Sequence, residues 1–111
     1  MNLAKSIAGF ALDKKATEVT ILDMRKVANF CDYFVICTGN SDRHVKAIAD
    51  GIEAELDAVG VNVPKMQGAR DARWIVIDLG HIIVHVFEKQ TRGFYGLEYL
   101  WQDAKKVYEK V

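Results

Sequence analysis

Apolar positions are densest between Trp74 and Glu88, where WIVIDLGHIIVHVFE forms two strand-length runs divided by Gly80 and His81. Side chains alternate along a strand, so Trp74, Val76 and Asp78 share one face and Ile75, Ile77 and Leu79 the other. Gly80 and His81 fit a two-residue turn with glycine first, as a type II′ hairpin prefers. Folding the runs back sets Leu79 opposite Ile82, Ile77 opposite Val84 and Ile75 opposite Val86, an aliphatic face suited to a core under helices. The other face pairs Trp74 with Phe87, Val76 with His85 and Asp78 with Ile83. Aromatic rings edged by an acid and an imidazole suit either a second core layer or a docking surface.

The rest of the chain falls into elements around this hairpin. Leu3, Ile7, Phe10 and Ala11 recur at helical spacing and predict an amphipathic helix over about residues 2 to 15. Glu18 to Asp23 (EVTILD) alternates and is rich in β-branched residues, so it reads as a strand. After a polar connection from Met24 to Cys31, the apolar run DYFVICT (Asp32 to Thr38) reads as a central strand buried on both faces. Ser41 is placed to cap a second helix, whose stripe is Val45, Ile48, Ala49, Ile52 and Leu56, with Gly60 at its end. Val61 to Gln67 contains Pro64, the chain's one proline, and reads as a short strand at a sheet edge, because proline cannot donate to a ladder. Gly68 to Arg73 is a charged loop. Leu97, Leu100, Trp101 and Ala104 predict a short helix from residue 96 or 97 that packs these side chains inward. The tail from about residue 105 is expected to fray. This order predicts one α/β domain over residues 1 to 111, with a mixed sheet: a crossover through the second helix, then an antiparallel hairpin followed by a short helix.

Composition narrows the function classes. Fifteen basic residues balance fifteen acidic ones, so no global charge draws the chain onto a phosphate backbone, and contact with rRNA would be local and incidental. Cys31 and Cys37 lie about 20 Å apart if the segment between them is extended, beyond the ~7 Å that a disulfide spans. Two free, buried thiols imply a reducing compartment, and hence the cytoplasm. The apolar patch Ile7 to Leu12 is too short for a membrane span and lacks a signal peptide's cleavage region.

Candidate chemistry is sparse. The turn Thr38 to Ser41 (TGNS) before a helix has the form of a phosphate cradle, but it reads better as an ordinary strand-to-helix turn with glycine for its backbone angle and serine for its cap, and neither a Walker lysine motif nor GxGxxG accompanies it. His81 and His85 are four apart, but across a strand and its turn, so they do not form a helical metal pair; His44 stands elsewhere, and no metal or cofactor is expected. Asp78 and His85 are diagonal neighbours within reach of an ion pair. No nucleophile or substrate-orienting set joins them, so no catalytic residues are assigned. The aromatic count points elsewhere. One short helix cannot hide a face carrying Trp74 and Phe87 together with Phe94 and Tyr95, and exposed aromatic surface of that kind marks a partner site.

Three separated segments, CDYFVICTGNSDRHVKAIAD, DARWIVIDLGHIIVHVFE and TRGFYGLEYLWQDA, together resemble the Iojap or RsfS family of ribosomal silencing factors over roughly residues 3 to 104. The resemblance implies a non-enzymatic protein that binds the large ribosomal subunit through ribosomal protein L-fourteen. It implies that the protein stands where the small subunit must dock, and so represses translation when nutrients are short. It also implies a fold similar to a nucleotidyltransferase core. Gly39 and Ser41 bracket the turn where such an enzyme carries its Gly-Ser signature, yet no acidic pair of the metal-binding kind follows on a neighbouring strand. The alternative class is therefore a nucleotide-binding enzyme using the Thr38 to Ser41 turn. By motif position the resemblance assigns partner contact to Trp74, Val76, Asp78, His85, Phe87, Tyr95 and Leu97, with Asp71 beside them. Asp78 would then meet a basic side chain while Trp74 anchors, and a homodimer would use the same face.

Overall fold

The computed structural model describes residues 2–111. In chain order the elements are α1 (Asn2–Asp13), β1 (Thr17–Asp23), β2 (Tyr33–Gly39), α2 (Asp42–Ala58), β3 (Trp74–Asp78), β4 (Ile82–Glu88), α3 (Lys89–Tyr95), α4 (Leu97–Leu100) and β5 (Lys105–Lys110). The strands form one mixed sheet in the order β3-β4-β2-β1-β5, in which β2 and β4 run parallel and the other neighbours antiparallel. As its apolar run requires, β2 is central, and each of its residues is buried.

The hairpin has the register expected from its alternation: Trp74 opposes Phe87, Ile75 opposes Val86, Val76 opposes His85, Ile77 opposes Val84 and Asp78 opposes Ile83. Leu79 N–H donates to the Ile82 carbonyl at 2.9 Å to close the turn. Gly80 stands at φ +90, a conformation that side chains disfavour. The aliphatic face lies under α1 and α2. Ile7, Ala8 and Ala11 from one helix and Val45, Ile48, Ile52 and Leu56 from the other meet Val35, Ile75, Ile77, Val84 and Val86 in the main core. Each fully buried aliphatic side chain there contributes roughly 1.5–3 kcal/mol, so this layer dominates stability. The cap of α2 is as expected: Ser41 Oγ accepts from His44 N–H at 3.1 Å, and the chain leaves the helix through Gly60 at φ +83.

Three expectations are corrected. Val61 to Gln67 is not a strand; only Gln67 bridges to Val76, while Val61, Val63 and Met66 pack against the main core. Pro64 lacks the N–H that a longer ladder along β3 would use. The aromatic C-terminal segment begins earlier than its apolar spacing suggested, as α3, with Glu88 accepting from the N–H groups of Gln90 and Thr91 as cap. Gly96, in the left-handed region at φ +58, then joins α3 to the single turn of α4, and Leu100 points outward, 71% exposed. Finally, the tail is not frayed: Lys105–Lys110 form β5, which pairs with β1 and half-buries Val107 and Tyr108.

Candidate functional site

The mixed face of the hairpin becomes a second, smaller core. Leu22, Met24, Cys31, Phe34, Ile36 and Phe87 are its buried members, and Trp74, Ile83, Leu97, Trp101 and Ala104 pack around them. Because α3 and α4 are short, this layer is incompletely covered. An aromatic series crosses it from one exposed end to the other. Phe94 meets Tyr95 with ring centres 5.2 Å apart, Tyr95 meets Trp74 at 4.7 Å, and Trp74 stacks on Phe87 at 4.9 Å. His85 meets Phe34 edge-on at 4.6 Å, Phe34 meets Trp101 at 6.1 Å, and Trp101 meets Phe30 at 5.9 Å. The ends are open: Phe94 is 83% exposed, Tyr95 54% and Phe30 51%.

The residues assigned to partner contact divide by depth. Trp74 and Val76 are half-buried on β3, Asp78 and Tyr95 are exposed, and Leu97 is half-buried against the second core. Phe87 has no exposed surface and His85 is only 6% exposed, so neither presents itself to a partner; they form the bed on which the indole lies. The expected Asp78–His85 ion pair is absent among the described residues. Asp78 Oδ1 accepts instead from Gly80 N–H at 2.8 Å, and the imidazole turns to the other diagonal, where Trp74 Nε1–H donates to His85 Nδ1 at 3.1 Å. Burial lowers the His85 pKa to about 4, and a neutral ring whose Nδ1 accepts must carry its proton on Nε2. That nitrogen is buried without a hydrogen-bond partner.

Beside Trp74 opens a cleft of about 900 Å³, bordered by Asp42, Asp71, Arg73, Trp74, Phe94 and Tyr95. The fold thus gathers Asp71, Trp74 and Tyr95 at one site, whereas Asp78 sits at the far end of β3, where the hairpin turns. In the Thr38 to Ser41 turn, the Asn40 N–H and the Ser41 hydroxyl are both engaged by His44. Asn40 N–H donates to His44 Nδ1 at 2.9 Å, Arg43 N–H to Asp42 at 2.7 Å and Val45 N–H to the Ser41 carbonyl at 2.9 Å. Its glycine is demanded by packing, since a Cβ on Gly39 would stand 2.9 Å from Val45 N. His44 Nε2 donates to the Lys14 carbonyl at 2.8 Å, and the exposed His81 lies in the hairpin turn. No cluster of three metal-ligating side chains occurs among the described residues. Both thiols are buried, and burial pushes Cys37 up to about 12 and raises Cys31. Among the described residues no helix is long and apolar enough to cross a membrane.

Sequence reading missed Arg92. Only 8% exposed, it reaches from α3 across the second face and donates to Glu98 Oε1 at 2.8 Å, Thr38 Oγ1 at 2.7 Å, the Glu18 carbonyl and Thr20 Oγ1 at 3.4 Å. Two threonines at inward positions of otherwise apolar strands were the signal that a donor would come to them.

The chain as a whole is similar to known proteins. The family described as RsfS, ribosomal silencing factor during starvation, matches residues 1–111. The Bacillus subtilis ribosomal silencing factor RsfS is 46% identical over 103 residues, spanning 93% of this chain and 87% of that protein. An Arabidopsis thaliana Iojap-related mitochondrial protein is 34% identical, over 89% of this chain and 62% of its own length. Among solved structures, a Bacillus halodurans protein superposes with a TM-score of 0.84 at 37% identity, covering 97% of this chain and 99% of that one. A Chromobacterium violaceum protein gives 0.86 at 28% identity, over 100% and 92%. With the family pattern running through the whole length and the same fold in its relatives, the chain belongs to the RsfS family of ribosomal silencing factors.

Proposed function

We propose that this protein binds the large ribosomal subunit through ribosomal protein L-fourteen and blocks subunit joining by its bulk, repressing translation in the cytoplasm when nutrients are limiting. The observation that carries this reading is the open aromatic edge of the second core: Trp74, held from beneath by Phe87 and His85, beside exposed Phe94 and Tyr95. A preformed aromatic anchor of this kind concentrates binding energy without a large ordering cost. Asp71 beside the indole gives the edge an acidic group to meet the basic side chains of a ribosomal protein, and Asp78 stands exposed at the other end of β3 for a second such contact. Silencing then requires no catalysis, since a body measuring 33 × 32 × 23 Å on the joining surface excludes the other subunit. Within the Thr38 to Ser41 turn the Asn40 N–H and the Ser41 hydroxyl are both taken up by His44, which favours this reading over a nucleotide-binding enzyme.

Cosedimentation with isolated large subunits, followed by light-scattering assays of subunit association, tests the proposal. Binding together with suppressed association is expected. Failure to pellet with large subunits, or normal association when bound, overturns it. A second copy of the chain would compete for the same aromatic edge, and sizing across a dilution series reports that use.

A further inference from the structure

A guanidinium placed under a sheet face is costly unless its donors are engaged, and those of Arg92 engage three different elements. From α3 it reaches Thr38 on β2 and Thr20 on β1. It also takes the carbonyl of Glu18, where the pairing of β1 with β2 shifts register and φ is +49. Its Nε donates to Glu98, across the left-handed Gly96 that joins α3 to α4. The two ends of this ion pair therefore bracket the corner between Tyr95, which packs on Trp74, and Leu97, which packs into the second core.

The geometry points to Arg92 as the positioning residue of the aromatic edge: by locking α3 to the strands and α4 to α3, it sets where Tyr95 stands relative to the Trp74 indole. This inference rests on the docking reading for its consequence, but its structural part is independent of any partner. A buried arginine serving stability alone would leave the Trp74–Tyr95 contact unchanged in whatever fraction stays folded.

The test compares Arg92→Lys, which keeps the charge and loses the fork, with the parent protein. In ¹H–¹⁵N spectra the indole signal of Trp74, distinguished from that of Trp101 by a Trp101→Phe variant, is expected to shift and to exchange faster with solvent in folded Arg92→Lys. Affinity for purified L-fourteen is expected to fall about tenfold, and by less than about twofold when Tyr95 is already alanine, the non-additivity expected of residues acting through one another. A folded Arg92→Lys protein with an unchanged indole signal, or an equal loss of affinity in both backgrounds, overturns the inference. Should Arg92→Lys fail to fold, Glu98→Gln leaves the bonds to the strands in place, and the same two readouts decide. If the indole moves while the parent protein itself does not bind L-fourteen, the docking reading fails and the positioning role stands.

Discussion

The indole N–H of Trp74 donates to Nδ1 of His85 at 3.1 Å, which ties a partly buried aromatic ring to an imidazole only 6% exposed. The pair lies on one diagonal of the hairpin, fixed by the register that sets His85 opposite Val76. The indole is thus held by stacking on Phe87, by a tilted contact with Tyr95 and by one directional bond, with part of its surface left in water.

Removing that ring takes away the anchor without opening the main core, which lies on the opposite face of the sheet. Trp74→Ala is expected to weaken binding to L-fourteen by more than about 1 kcal/mol while the domain stays folded. Isothermal titration of the variant, with circular dichroism to verify its fold, checks this; unchanged affinity in a folded variant refutes the assignment.

Stability should depend on pH through His85. Burial holds its folded-state pKa at about 4 against 6.5 for an exposed ring, so between these values the unfolded chain takes up the proton and the native state does not. Stability is therefore complete above about pH 6.5 and declines as pH falls towards 4, by roughly 3 kcal/mol from this residue. Denaturant titrations at stepped pH, compared between the parent and His85→Leu, isolate the effect. The variant is expected to show a shallower loss over that window.

Gly68 should not tolerate a side chain. It sits at φ +82, and a Cβ there would stand 2.0 Å from the Trp74 carbonyl oxygen. Gly68→Ala combines left-handed strain with a backbone collision, so a loss of at least about 1 kcal/mol is expected. The loop that borders the cleft must also move away from β3. Thermal unfolding gives the first effect and amide shifts of Gln67 and Val76 the second.

Deleting residues 105 to 111 removes an edge strand and uncovers β1. The half-buried Val107 and Tyr108 go with it, and a loss of about 1–3 kcal/mol is expected from the burial forfeited. Urea titration reports the loss, and sedimentation reports any self-association through the newly open edge.

The main core and the hairpin were legible because both rest on periodicity: two-residue alternation across a Gly80 turn, and a helical stripe from Val45 to Leu56. β5 was not, because KKVYEK has only two half-buried apolar residues and becomes a strand by finding an edge far away in the chain. α3 escaped notice for a related reason: the residue it buries is Arg92, which reads as solvated until its partners on β1, β2 and α4 are known. Within the candidate site, Trp74 and Tyr95 were identifiable as aromatics in excess of available cover. The imidazole was harder. Register makes both Asp78 and Trp74 diagonal neighbours of His85, and only the folded geometry, in which the acid caps its own turn, decides between them.

The pairing of β1 with β5 carries a consequence for how the protein is born. Val19 lies beside Lys110, 91 positions later, so the outer rim of an early-made strand waits for a partner translated long afterwards. Until that stretch emerges, a nascent chain displays an unsatisfied ribbon edge to its neighbours on a polysome, where protection by a chaperone would count most.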